Sequence, residues 1–268
     1  MSSSSLPSTI YPRYPFTDTH CHIHDSEFFP DGGEAQYQRA LEAGIGRMLC
    51  VGTDVRSSVQ AVAFADRYAA AWAVVGIHPH DATVGRSAVD ELATLLGSTQ
   101  KSDKKVVGVG EIGLDYYYDN SPREAQRDML HAQLELAQKH ALPVSFHVRE
   151  AFADFWPIFD EYDGLRGVLH SYTDDLVNLE KGLSRGLFVG VNGIATFAKG
   201  RDEITKAIPL DKLLLETDAP FLTPTPLRGT VNEPAFVTHV ARYVAELHTI
   251  SPQELSRITE KNATKLFF

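Results

Sequence analysis

Short apolar runs alternate along the chain with longer segments in which apolar residues recur at helical spacing. The runs are rich in Val, Ile and Leu, which is typical of strands that helices bury on both faces. With right-handed crossovers, the alternation predicts an α/β fold, a TIM (β/α)8 barrel with an extra C-terminal helix. The predicted strands cover residues 16–23, 46–52, 72–77, 106–115, 142–149, 167–170, 186–191 and 212–218.

Helical spacing predicts the segments between these strands, and two of the helices begin at a recurring pattern. Residues 121–124 and 251–254 both read Ser-Pro-Xaa-Glu, the pattern of a capping box with proline at the first helical position. The first is expected to open a helix that ends near His140, with a basic last turn suited to the helix dipole. The other predicted helices cover 34–43, 59–70, 87–96, 151–162, 174–183 and 235–247.

The chain of 268 residues is long enough for one barrel, and no interior linker indicates a second domain. Residues 1–15 are expected to form a disordered or extended lead, and residues 16–268 the barrel. No apolar run reaches the length of a membrane span, and residues 1–7 have no signal-peptide core. Together with only two cysteines, this predicts a cytoplasmic protein that does not engage a membrane.

The net charge of −10 argues against a broad basic surface for nucleic acid. Phosphate binding normally recruits Lys and Arg, so the overall charge is an objection to any nuclease hypothesis. Two divalent cations would add about +4 at one place. A polyanion could therefore still be attracted to a single cleft.

Side chains that bind metals recur where the predicted strands end. Because these ends meet at one rim of a barrel, the residues are expected to cluster there, and the cluster predicts a metal site. The set suits two divalent ions that share one ligand, and Glu111 is the expected bridge because its strand comes from the middle of the barrel order. Its own apolar run offers it no cation, so it needs a partner from elsewhere. The candidates are His20 and His22 on the first strand, His78 after the third, Glu111 on the fourth, His147 on the fifth, His170 on the sixth and Asp218 on the eighth.

Each candidate also has a structural interpretation when it is taken alone. His78 precedes a proline and could be a turn residue, and Glu111 could pair with a core arginine. His170 could be a satisfied core histidine, and Asp218 could cap a turn. Cys21 is excluded as a ligand because alternation along a strand places it opposite its two histidine neighbours. Recurrence at one structural position favours the metal site over these separate explanations.

Several motifs then show that the chain resembles the TatD family of metal-dependent hydrolases, within the amidohydrolase-like barrels. The match runs from about Phe16 to Phe267. The motifs are residues 18–22 (DTHCH), 76–80 (GIHPH), 110–116 (GEIGLDY), Gln126 with 133–134 (QL), 142–144 (LPV) with His147 and Arg149, 216–222 (ETDAPFL), 228–229 (RG), 232–234 (NEP) and Asn262.

The resemblance implies two metal sites, with Mg²⁺, Mn²⁺ or Zn²⁺ as cofactors, and assigns their ligands. It implies His20, His22, Glu111 and Asp218 around one ion, and Glu111, His147 and His170 around the other. Asp218 and Glu111 are the expected catalytic residues, and Asp218 could take the proton of the attacking water. His78, Arg149 and Arg228 are expected to contact the substrate phosphate.

The resemblance also implies an exonuclease-type DNase that acts on single-stranded or 3'-end DNA and requires no obligate protein partner. The alternative is an aminoacyl-tRNA deacylase or another ester or amide hydrolase. Two departures from the family pattern bear on the substrate: residues 171–175 (SYTDD) add acidic groups beside the site, and Thr230-Val231 replaces basic residues. Tyr116 and Tyr117 could stack on a base or pack in the core, and His24 could be a surface residue or an extra ligand.

Overall fold

A computed structural model describes residues 15–99 and 105–268, so the predicted lead over residues 1–15 lies outside the described residues except for Pro15. Strands and helices alternate as the sequence predicts. The strands are β1 (Phe16–Cys21), β2 (Ile45–Val51), β3 (Ala71–Val75), β4 (Val106–Asp115), β5 (Val144–Arg149), β6 (Gly167–Leu169), β7 (Phe188–Val191) and β8 (Leu213–Leu215). The helices are α1 (Glu34–Glu42), α2 (Val55–Arg67), α3 (Arg86–Thr99), α4 (Arg123–His140), α5 (Phe152–Phe159), α6 (Leu176–Ser184), α7 (Arg201–Ala207), α8 (Val237–Leu247) and α9 (Pro252–Phe267).

The eight strands pair in sequence order, and every pair is parallel. The sheet closes where β1 meets the segment after β8: Asp218 N donates to His20 O over 2.8 Å, and His22 N donates to Ala219 O over 2.9 Å. The buried Asp18 carboxylate reinforces this seam by accepting bonds from the backbone N–H and the hydroxyl of Thr217. The predicted barrel is confirmed, and α9 is the predicted extra helix.

Strand β4 is the longest of the eight described strands, and all ten of its residues are buried. Its glycines allow the neighbouring backbones to approach closely. A side chain at Gly113 would place its Cβ 1.8 Å from His147 O, and Gly113 has a φ of 151°. Glycine is required at this contact, which holds β4 and β5 in the register that brings Glu111 and His147 together.

Several predicted strands end earlier than the sequence indicates. Strands β1, β6 and β8 stop before His22, His170 and Asp218. His22 and His170 therefore occupy the first position after their strands, and Asp218 the third position after β8. Helix α7 was not predicted, and neither was the 3-10 turn over Gly193–Thr196. Among the described helices, none combines the length and the apolar composition that a bilayer crossing requires.

The two predicted capping boxes have different outcomes. Ser251 Oγ accepts a bond from Glu254 N over 3.1 Å, so the serine cap of α9 is confirmed. The box predicted for α4 is wrong, because Pro122 is the N-cap residue and no side chain caps the helix. Ser121 Oγ instead donates to His80 O over 2.7 Å. That hydroxyl ties the start of α4 to the loop that follows β3.

Candidate metal centre

Glu111 lies among five imidazoles at the C-terminal rim of the barrel. Its carboxylate is buried, and the nearest contact is from Oε1 to His147 Nδ1 at 2.8 Å. The Nε2 atoms of the other four imidazoles lie slightly farther from the Glu111 carboxylate, at distances that leave room for a cation between the ring and the carboxylate. They are His20 at 3.4 Å, His78 at 3.5 Å, His170 at 3.6 Å and His22 at 4.0 Å.

Asp218 faces the same cluster from the loop after β8. Its Oδ1 lies 3.4 Å from His22 Nε2 and 3.8 Å from both His20 Nε2 and His170 Nε2. The residue has a φ of 59°, an uncommon backbone conformation for a non-glycine residue. The backbone bond from Asp218 N to His20 O holds the carboxylate in this position. All six residues predicted as metal ligands therefore converge at one place, and His78 joins them.

His20 and His22 both direct Nε2 at the carboxylates. His22 Nδ1 lies 2.7 Å from Val51 O, and a carbonyl oxygen can only accept, so Nδ1 carries a proton. His20 Nδ1 lies 3.4 Å from Ser145 Oγ, and its Nε2 makes no hydrogen bond to any described residue. In neutral rings of this tautomer, the Nε2 lone pairs face carboxylate oxygens. That arrangement is repulsive unless a cation lies between them, so these residues fit a metal ion.

His147 has a carboxylate at each ring nitrogen. Nδ1 donates to Glu111 Oε1, and Nε2 donates to Asp115 Oδ2 over 2.9 Å. Asp115 is buried and also accepts bonds from His80 Nε2 over 3.2 Å and from the backbone N–H groups of Tyr117 and Tyr118. Asp115 thus fixes the ring of His147 so that Nδ1 points into the cluster.

Glu216 holds His170 in a comparable way. Its Oε1 lies 3.0 Å from His170 Nδ1 and accepts a bond from Ser171 N over 2.6 Å. The carboxylate is buried and lies directly over Gly190, where a Cβ would come within 2.4 Å of Oε2. Glycine at position 190 therefore makes the space that Glu216 fills. His170 is left with Nε2 directed at Glu111 and Asp218.

The electrostatics of the cluster divide its imidazoles into two groups. Burial lowers the pKa of His78 to about 4 and also lowers the pKa of His20. Burial acts in the same direction on His147 and His170, but their carboxylate partners outweigh it and raise the two pKa values to about 9 and about 10. Burial alone would raise the pKa of Glu111, but the surrounding imidazoles hold it well below its usual range. Burial is also outweighed at His22, where Asp218 and Glu111 raise the pKa, so the carboxylates favour the protonated form of three of the five imidazoles.

The cluster forms the floor of a cavity of about 870 Å³. Arg149, Lys199 and Arg201 line this cavity, so it combines a metal-binding floor with cationic walls. Arg228 lies outside the lining, where its Nη1 donates to Thr223 O over 2.8 Å and its guanidinium stacks on Phe197 at 3.8 Å.

Several residues at the rim differ in role from the sequence interpretation. Asp174 and Asp175 do not line the cavity, because their Oδ1 atoms accept bonds from Asn178 at the start of α6. His24 is buried, so the surface interpretation of this residue is wrong, and its ring centroid lies 6.3 Å from that of His22. Tyr117 does not line the cavity, and Arg149 covers its ring.

Sequence reasoning missed the supporting roles of Asp115 and Glu216, although both lie in the motifs that carry the family resemblance. The available signal was that Asp115 lies in the same motif as Glu111, and Glu216 in the same motif as Asp218. Lys199 and Arg201 carried no such signal, because they lie in the unpredicted segment around α7. Within the described residues, three groups have ligand atoms close enough to hold an ion: His20–His22–Glu111, His20–His170–Glu216 and His78–Glu111–His147.

A parallel eight-stranded barrel with imidazoles and carboxylates clustered at its C-terminal rim defines the class as the metal-dependent hydrolases of amidohydrolase-like fold. The chain belongs to the TatD related DNase family, whose sequence model matches residues 17–268. The metal-dependent hydrolase YabD of Bacillus subtilis, itself uncharacterized, is 35% identical, over 93% of this chain and 98% of that protein. The 3'-5' ssDNA/RNA exonuclease TatD of Cronobacter sakazakii is 37% identical, over 93% and 97%.

Solved structures agree with this assignment. The crystal structure of the TatD homologue YJJV from Escherichia coli superposes with a TM-score of 0.88 at 31% identity, covering 96% of this chain and 99% of that chain. An amidohydrolase from Saccharomyces cerevisiae superposes with a TM-score of 0.85 at 20% identity, which shows the shared fold alone. The resemblance inferred from the motifs is confirmed.

Proposed function

We propose that this chain is a metal-dependent exonuclease that hydrolyses phosphodiester bonds from the 3' end of single-stranded nucleic acid. The observation that carries the proposal is the convergence of imidazoles and carboxylates at the floor of a cavity with cationic walls. That arrangement suits a phosphodiester. The cationic side chains of the walls would attract its negative charge, and the imidazoles and carboxylates of the floor would hold the metal ions beside the bond that is cleaved. The name of the Cronobacter relative, 3'-5' ssDNA/RNA exonuclease, supports the substrate class and the direction of attack.

We assign the ligands to two divalent cations. His20, His22, Glu111 and Asp218 would hold one, and Glu111, His147 and His170 would hold the other. Mg²⁺, Mn²⁺ and Zn²⁺ all suit such a donor set. Bound together, the ions would supply Lewis-acid activation of the phosphoryl group and lower the pKa of water toward about 7.

The chain's own residues supply proton transfer and orientation. Asp218 stays ionised at neutral pH, because its imidazole neighbours outweigh burial and lower its pKa, so it can accept the proton of the attacking water. His78 is neutral at that pH, and its Nδ1 accepts a bond from His80 N over 3.2 Å. Its Nε2 therefore carries the proton and can donate to a phosphate oxygen.

Cationic side chains would hold the flanking phosphates. Arg149 lines the cavity beside Val148 at the end of β5, Lys199 lines it from the segment before α7, and Arg201 lines it from the first position of α7. Arg228 has one N–H committed to Thr223 O, so it would reach a phosphate at the outer edge through its remaining donors. A guanidinium fork suits phosphate oxygens, which favours the arginines over Lys199 for orienting the strand.

The proposed function is tested with purified protein treated with chelator and then loaded with Mg²⁺, Mn²⁺ or Zn²⁺. The panel contains single-stranded DNA labelled at either end, the matching duplex, an aminoacyl ester and an amide. We expect stepwise shortening of the single strand from its 3' end in at least one metal, and little cleavage of duplex. Hydrolysis of the ester or amide with an intact oligonucleotide would overturn the proposal in favour of the deacylase or amidohydrolase alternative.

Metal binding is expected to release protons, with affinity rising with pH. His147 and His170 have pKa values of about 9 and about 10 in the metal-free protein, so both carry an extra proton at neutral pH. Each must lose it before coordinating an ion. Calorimetric titration of chelator-treated protein with Mn²⁺ at about pH 7.5, in buffers of different ionisation enthalpy, should show a strong buffer dependence. A heat of binding that is the same in all buffers would contradict the charge states assigned here.

Asp115→Asn and Glu216→Gln are expected to weaken metal binding by about 10-fold to 100-fold each. Asp115 bonds the ring of His147, and Glu216 lies 3.0 Å from His170 Nδ1, so we expect the change to act through the orientation of the imidazoles. Metal affinity is measured by competition with a fluorescent chelator. The matched controls are Asp66→Asn and Glu91→Gln, both exposed on helices away from the cavity. Unchanged affinity in both site variants would contradict the positioning roles.

A further inference from the structure

Two phenylalanine rings stand exposed at the mouth of the cavity. Phe28 is 36% exposed and Phe221 is 47% exposed, and both line the cavity. Their centroids lie 5.1 Å apart at an interplanar angle of 80°, so one ring meets the other edge-on. The centroid of Phe28 lies 6.3 Å from that of His22, a residue of the metal cluster. Large apolar rings left in contact with water beside a catalytic floor indicate a surface for a ligand.

The backbone holds both rings in place. Asn232 Nδ2 donates to Phe221 O over 2.5 Å and to Thr217 O over 2.8 Å, so one buried amide joins the Phe221 loop to the end of the barrel. A Cβ at Gly193 would lie 1.9 Å from Leu222 O, which shows how tightly this loop is packed. On the other side, Phe28 N donates to Asp25 O over 3.2 Å within a short turn. A surface that is already ordered loses little entropy when a ligand binds.

The three tyrosines that follow β4 are less suited to the same task, and of these only Tyr118 lines the cavity. The guanidinium of Arg149 lies over the rings of Tyr117 and Tyr118, at 3.9 Å and 4.8 Å. Arg123 covers Tyr116 in the same way at 4.2 Å, and the Tyr116 hydroxyl is bonded to Asp154. Their faces already have partners. No such cation stacks on Phe28 or Phe221 among the residues that the structure describes.

We propose that Phe28 and Phe221 form a stacking subsite for the unpaired base of the nucleotide whose phosphate is held at the metal cluster. The inference rests on the proposed function and deepens it. Phosphate and base are joined through one sugar, so a phosphate bound at the floor places its base at the mouth, against these rings. A base in a duplex is stacked between neighbours and cannot make this contact. The pair therefore selects single strands and tolerates any base, because every base offers a π-face.

Phe28→Leu and Phe221→Leu keep apolar bulk and remove the aromatic ring. Loss of one base stack is expected to raise KM for a single-stranded oligonucleotide by about 5-fold to 100-fold, with a smaller change in kcat. An oligonucleotide whose 3'-terminal residue is abasic should be cleaved by wild type with a similarly raised KM, and the Leu variants should not raise it further. Phe28→Tyr keeps an aromatic ring and should therefore have the KM of the wild type. The control is Phe268→Leu, since Phe268 is 48% exposed but packs on Trp72 outside the cavity.

Leu variants that match wild type on the normal oligonucleotide would overturn the subsite. Equal losses on the normal and abasic substrates would overturn it as well, because they would show that the rings support the site without contacting a base. Retention of metal affinity in both variants separates loss of a stack from damage to the cluster.

A second measurement keeps the inference testable if the chain proves not to be a nuclease. A dinucleotide with 2-aminopurine at its 3' end loses fluorescence when the base stacks, and its binding to metal-loaded protein can be followed without cleavage by using a phosphorothioate linkage. Quenching by wild type that is lost in both Leu variants supports the subsite. Absence of quenching by wild type overturns it, whatever the hydrolysis panel shows.

Discussion

Glu111→Ala is expected to abolish metal-dependent hydrolysis, lowering kcat/KM by about 10³-fold or more while the barrel stays folded. The carboxylate lies within 4.0 Å of five imidazoles, and it is the acidic group assigned to both proposed ions, so its loss removes a ligand from each ion. Metal affinity should fall in parallel, since each proposed ion depends on Glu111. Hydrolysis rates, metal content and the far-UV circular dichroism spectrum are the measurements.

Glu111→Gln provides a variant with the size of the native side chain but without its charge. It should be nearly as inactive as the alanine variant, because an amide is a poor ligand for a bridging position between two cations. Glu91→Gln, on the exposed face of α3, is the matched control and should behave as wild type. Full hydrolysis by a folded, metal-loaded Glu111→Ala protein would refute the assignment of the centre.

Asp218→Asn is expected to lower kcat by about 10²-fold to 10⁴-fold, the range for loss of a positioned general base. The substitution preserves shape and one oxygen, so metal content at saturating Mn²⁺ should fall less than in the Glu111 variants. Without the carboxylate, hydroxide from solvent must replace the lost proton acceptor. The residual kcat should therefore rise with pH across the range where wild-type kcat is flat.

Asp81→Asn is the control for this experiment. Asp81 also lines the cavity and is exposed, but among the described residues no ion pair joins it to the imidazoles that Asp218 contacts. The same chemical change there should leave kcat within about 3-fold of wild type, since surface substitutions away from special contacts have small effects. A flat pH profile in Asp218→Asn, or equal losses in both variants, would remove Asp218 from the role of base.

The convergence of the candidate metal ligands could be predicted from the sequence because they occupy equivalent positions, near the carboxyl ends of the predicted strands. His20, His147 and Asp218 lie far apart in the chain, yet each comes at the end of an apolar run. Strand ends on one side of a parallel barrel meet, so the position along each run was enough to predict convergence. The geometry agrees with this. Glu111 lies within 4.0 Å of all four histidines predicted as ligands, and Asp218 lies within 3.8 Å of three of them.

The supporting and substrate-facing residues could not be predicted in this way. The sequence indicated Arg149 and Arg228 as cationic phosphate contacts, but it gave no indication of Lys199 and Arg201, which line the cavity in the structure. The difference depends on the path of the chain between β7 and α7, where no periodic pattern exists. Ser121 shows the same limit, since its hydroxyl bonds His80 O instead of capping α4, and the local pattern carries no information about that distant carbonyl.

By itself the sequence determined the barrel and the chemical type of its site, because parallel strands that helices cover are mainly apolar and side chains suited to metal binding recur towards their carboxyl ends. Only the tertiary structure decided which carboxylate orients which imidazole, and which aromatic rings remain open. Asp115 reaches His147 through the register of β4 and β5, and Glu216 reaches His170 because Gly190 leaves the space. Such contacts depend on side-chain direction and close approach between strands, which arise only when the sheet is closed.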